Sequence, residues 1–71
     1  MLALDVLSSL RPLGEIKAAI GRPAEACAEY RAAADGFAAF QRRWPLSPIY
    51  NTELTLVREK LTACPARPPR P

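Results

Sequence analysis

The sequence contains no histidine. That removes the side chain most often used as a general base near neutral pH, and the commonest metal ligand. Two cysteines, Cys27 and Cys64, stand far apart, with no Cys-x-x-Cys pair to begin a metal site. They could form one disulfide, but small secreted domains usually carry four or more cysteines. Two separate packed thiols are therefore the preferred reading, with Cys27 beside an apolar seam and Cys64 at a helix end. No run approaches the eighteen apolar residues of a membrane span. The opening MLALDVLSSLRP lacks the basic start of a secretory signal, and Asp5 interrupts its apolar run. The stretch from Gly14 to Gly21 lacks the Gly-Lys-Ser/Thr ending and the preceding strand of a phosphate loop.

These absences exclude whole classes. Glu15 and Glu25 are the nearest approach to a catalytic acid pair, and acids on alanine-rich helices are ordinarily solvated. The chain is read as no enzyme, with no cofactor and no metal. The net charge is +3, and removing Arg67 and Arg70 leaves a body of +1. The only basic doublet is Arg42-Arg43, so the basic stripe of a nucleic-acid binder is missing. The expected partners include neither nucleic acid nor membrane, and the default location is cytoplasmic. The Ala/Arg/Pro bias points to a GC-rich bacterial genome.

Alanine dominates the 71 residues, and only five are aromatic: Tyr30, Phe37, Phe40, Trp44 and Tyr50. A chain of this size buries about 60% of its unfolded surface, enough for one small domain. Alanine-rich sequences poor in β-branched residues favour closely packed helices. Residues 2–20 read as a first helix, with Leu7, Leu10, Leu13, Ile16 and Ile20 at three- and four-residue steps on one face. Pro12 interrupts it, and a kink there keeps the stripe in phase. Gly21 followed by Pro23 reads as a helix end, a tight turn and the first turn of a new helix.

The second helix spans about 23–43, with a seam of Ala26, Tyr30, Ala33, Phe37, Phe40 and Trp44. Gly36 lies in its middle, and nothing in the sequence accounts for it. Trp44 to Pro48 breaks the chain, and Ser47-Pro48 reads as an N-cap with proline in the first turn. A third helix follows to about Ala63, with Leu54, Val57 and Leu61 as its apolar set. The division is a three-helix domain over 1–63 and a proline/arginine-rich tail over 64–71, extended or disordered. Within the tail, Pro65 to Arg70 fits PxxPxR, a proline-helix ligand pattern.

Leu13-Gly14, the turn glycine Gly21, and Ala26, Tyr30 and Ala33 have the relative spacing of a tetratricopeptide repeat, which this stretch resembles. The physical reason is close approach: Gly14 and Ala26 let two helix backbones meet while Tyr30 fills the space beside them. Departures are Leu10 and Lys17 where that family often has aromatics, and a closing proline delayed to Pro45. Leu54 to Leu61 resembles the start of another first helix. The resemblance implies an all-α fold, an antiparallel helical hairpin plus a third helix, forming a fragment of a right-handed superhelix. It also implies a protein–protein interaction scaffold, a fragment or terminal part of a longer repeat protein. By position, Ser8, Arg11 and Glu15 would line its groove for a protein or peptide. One and a half repeats leave a stacking face open, so self-association or further repeats are expected. The alternative is a stand-alone three-helix regulator without repeat function.

Overall fold

Gly21 is the one described residue with a positive φ, at 83°. There the backbone N–H of Gly21 donates to the Ala18 carbonyl (3.2 Å), and that of Arg22 to the Lys17 carbonyl (2.8 Å). This pair of bonds is a Schellman ending, which satisfies carbonyls that a helix terminus otherwise leaves open. It closes α1, Leu4–Ala19, and Pro23 starts α2, Pro23–Gln41. Arg42 to Ser47 connect to α3, Pro48–Thr62. These come from a computed structural model that describes residues 4–64. The expectations placed on Leu2, Ala3 and the PxxPxR tail lie outside the described residues.

The contacts give the topology. Gly14 lies against Tyr30, Gly36 against Leu7, and Lys17 reaches Glu29, so α1 and α2 are antiparallel. Cys27 is joined to Cys64, and Gln41 bonds Asn51, so α3 runs back along α2. Tyr50 meets Asp5 and Lys60 meets Glu15, which sets α3 parallel to α1. The described residues are all-helical, as expected, and α3 lies on one side of the α1–α2 hairpin.

The core contains Leu7, Ala26, Tyr30, Ala33, Phe37, Leu54 and Val57. Four of the six seam positions of α2 are buried there; Phe40 is half-buried, and Trp44 is exposed beneath the Arg43 guanidinium. Ser47 occupies the N-cap position before Pro48, though its side chain makes no capping bond. α1 passes through Pro12 as continuous helix.

Two expectations are corrected. The cysteines are not separate thiols: Cys27 and Cys64 form a disulfide, with Cα atoms 6.0 Å apart. The close packing of α3 on α2 brings together two residues 37 positions apart, a proximity that sequence spacing cannot report. The stripe assigned to α1 is also turned. Leu7 is buried and Leu10 half-buried, but Leu13, Ile16 and Ile20 face outward. Gly14 decides this, because its missing side chain is what lets Tyr30 approach.

Candidate interaction surface

Two surfaces of α1 are distinct in chemistry, and each is fixed by which residues the helix turns toward α3. On the α3 side stand Arg11 and Glu15. The Arg11 guanidinium bonds Glu15 Oε2 at 2.9 Å from Nη1 and Glu53 Oε1 at 3.4 Å from Nη2, while its Nε–H donates to Glu53 Oε2. Lys60 Nζ closes the group, 3.5 Å from Glu15 Oε2. A planar guanidinium gripping one carboxylate through two nitrogens is the stronger form of such a pair. The bond to Glu53 holds the Arg11 guanidinium above its ordinary pKa; partial burial opposes this, and the charges of Glu53 and Glu15 add to the rise. Opposite charges thus alternate across the helix interface, and the network works as a polar clamp between α1 and α3.

Of the residues expected to line a groove, Arg11 and Glu15 are therefore engaged with α3, and Ser8 lies half-buried beside them. The missed members are Glu53 and Lys60. Nothing local marks them, since both belong to an ordinary mix of charges on α3. The packing positions Gly14, Ala26, Tyr30 and Ala33 are buried together, and Gly21 makes the turn. Leu13, beside Gly14, is not in the core.

The opposite surface is apolar. Val6 is 45% exposed, Leu13 40%, Ile16 59% and Ile20 64%. Val6, Leu13 and Ile20 recur at seven residues, so they form one line along α1. Ile16 widens it. Ala28, Ala32 and Ala39 of α2 are exposed as well, with Ala32 level with Leu13 and Ala39 level with Val6 in the antiparallel hairpin. Lys17 interrupts the edge, but its ammonium leans to α2, 3.4 Å from Glu29 and 3.7 Å from Glu25. The result is a ridge of branched side chains beside a row of alanines that the exposed Asp35 interrupts. Large apolar side chains gathered in this way on a small domain mark an association surface more often than isolated ones do.

A hollow of 320 Å³ lies between the C-terminal end of α3 and the start of α2, lined by Ala18, Pro23, Ala26 and Tyr30 with the disulfide in its wall. Glu59 and Lys60 of α3 also line it. Among the described residues no cluster of three or more His, Cys, Asp or Glu side chains could hold a metal. No described helix is long and apolar enough to cross a membrane. No family model matches the chain, and no curated protein or solved structure is detectably similar to it.

Proposed function

We propose that this chain is a protein–protein interaction module that presents a preformed helical surface and performs no chemistry. The observation that carries the reading is the exposed line Val6–Leu13–Ile20 with Ile16, on a helix whose opposite side is clamped to α3. A rigid apolar ridge loses little conformational freedom on binding, which favours association. The tetratricopeptide resemblance belongs to the same proposal. It is supported by the contact of Gly14 with Tyr30, the burial of Ala26 and Ala33, and the glycine turn. On that reading the ridge is a stacking face toward a neighbouring helical unit in a superhelix.

The stand-alone alternative has its own support. The Cys27–Cys64 bridge ties α3 to α2 without help from further repeats. The bridge also bears on location. Disulfides persist in oxidising compartments and are rare in the cytosol, so it favours an oxidising setting over the cytoplasm expected from the sequence.

A photo-reactive residue at Ile16, introduced into the chain in its native host, tests the reading. A discrete cross-linked protein adduct, abolished by Leu13→Glu, is the expected result. Absence of any protein adduct at Ile16 while the domain is folded would refute it.

A further inference from the structure

We propose that the Cys27–Cys64 bond is a redox latch on the last turns of α3: a dithiol that opens it frees residues 58–64 and uncovers the floor of the hollow beside Tyr30. The inference is independent of the ridge on α1.

The first feature that selects a latch is how unevenly α3 is held. Tyr50, near its start, lies close to Phe37 and reaches Asp5, and Glu53 takes the Arg11 guanidinium. Leu54 and Val57 are fully buried. Beyond Val57 the grip ends: Leu61 and Cys64 are half-buried, and the other residues of 58–64 are exposed. The ion pair of Lys60 with Glu15, 3.5 Å between partly exposed groups, adds little. The covalent bond thus sits where side-chain packing has already given out. Segments with few buried apolar contacts are the ones that open locally while the rest of a domain stays folded.

The second feature is access. The disulfide stands in the wall of the 320 Å³ hollow, among the small side chains of Ala18, Ala26 and Ala63. That space is several times the share of one liquid water, about 30 Å³, so it admits the sulfur and methylene of an attacking thiol. Exchange needs such an approach. A thiolate of the dithiol attacks one bridge sulfur, a mixed disulfide forms, and the other sulfur leaves as a thiolate. The second thiol of the dithiol then displaces the protein and closes the reagent's own disulfide. Two electrons and two protons pass to the bridge, which ends as two free thiols.

The third feature is what lies beneath. Ala26 and Tyr30 line the hollow and are themselves buried. Freeing residues 58–64 removes its α3 side, formed by Glu59, Lys60, Ala63 and Cys64. What is left is an apolar groove between the end of α1 and the start of α2. Gly14 still seats the Tyr30 ring, so the groove keeps its floor. The oxidised chain holds this groove covered, and the reduced chain presents it.

The test compares the oxidised full chain with the same chain in excess dithiothreitol. Backbone NMR is recorded at about 10–20 °C, where domains are typically most stable. On reduction, the amides of residues 58–64 should lose their helical shifts and their rigidity. Leu54, Val57, Gly14 and Ala33 should keep their folded values. Cys64→Ser should show the same pattern without reductant. The reduction rate should rise in proportion to dithiothreitol and stay unchanged by urea below the unfolding transition, as direct attack on the folded chain requires. Residues 58–64 that stay helical and rigid after full reduction would overturn the latch. Loss of folded values throughout α3 or the whole chain would overturn it as well, since the bond would then be a structural staple. So would a rate that climbs with urea, which means that the bond is reached only through unfolding.

Discussion

Glycine carries unusual weight at three positions, and for two different reasons. A Cβ added at Gly14 would stand 2.6 Å from Tyr30 Cε1, closer than side chains tolerate. One added at Gly36 would strike Leu7 Cδ2. Both lie inside helices, where alanine is intrinsically favoured by about 1 kcal/mol. Overpacking outweighs that gain, because Tyr30 and Leu7 are buried and cannot swing into solvent. Gly14→Ala and Gly36→Ala should each destabilise by about 1–3 kcal/mol in urea unfolding. Gly21→Ala meets nothing within 4 Å, yet its left-handed backbone should cost about 1 kcal/mol. Gly14 was legible as a packing glycine from its place beside Leu13 and opposite Ala26 and Tyr30. Gly36 was not, because its reason is a leucine 29 residues earlier, brought alongside only by the turn at Gly21.

The Arg11 pair makes a second prediction at this scale. Glu53→Gln should cost about 1 kcal/mol, since the group is only partly sheltered from water and screening reduces it further. A raised arginine pKa contributes stability that is present below the ordinary arginine value and lost only as pH climbs through the raised one. That window lies beyond ordinary buffers. Thermal melts between pH 7 and 10 should therefore show no loss attributable to Arg11; a fall abolished by Arg11→Met would contradict the assignment.

Among the elements, α1 shows where sequence pattern decides and where it does not. Two seven-residue series run along it one position apart, Leu7–Gly14–Gly21 and Val6–Leu13–Ile20. By hydrophobicity the second is the stronger candidate for the core. Packing chose Leu7 and Gly14 of the first, because a helix pair closes most tightly over a glycine, while Gly21 makes the exposed turn. The α2 seam had no such competitor, and its first four positions are buried as read. The end of α1 and the starts of α2 and α3 were set by Gly21, Pro23 and Pro48, whose backbone chemistry is local and therefore readable, whereas α2 stops at Gln41, short of the expected 43. The polar clamp was only half readable: Arg11 and Glu15 share a helix face four residues apart, whereas Glu53 and Lys60 depend on the docking of α3.

The disulfide belongs to α3. Reduction frees a loop of 37 residues, whose closure is worth about 4 kcal/mol in the chain-entropy treatment. α3 contributes only Leu54 and Val57 to the fully buried core. Reduction, or Cys64→Ser, should therefore lower the melting temperature by roughly 15–30 °C, since each kcal/mol shifts a domain of this size by about 4–8 °C. Protease sensitivity in the connection from Arg42 to Ser47 should rise with it. Unchanged melting on full reduction would show that side-chain packing alone holds α3.

For the whole molecule, stability and association draw on opposite sides of the same helix. Phe37 is buried where the three helices meet and stacks near Tyr50, ring centroids 6.2 Å apart. Phe37→Ala should cost about 3–5 kcal/mol, comparable to the entire stability of so small a domain, and circular dichroism should show an unfolded chain. Leu13→Glu acts on the exposed side and should leave the thermal transition of the dilute monomer within about 0.5 kcal/mol of the parent. The contrast separates loss of fold from loss of partner in one pair of variants.

The bridge between Cys27 and Cys64 also gives the molecule a load path. Tension applied between points on either side of the covalent ring enters through α1, crosses the sulfur–sulfur bond and leaves, bypassing most of α2, the connection and all of α3. Those helices would stay slack while α1 is peeled from them. Cutting the bond adds the enclosed 37 residues to the tether, roughly 130 Å of contour when fully drawn out. The chain is thus a short strap when oxidised and a long one when reduced.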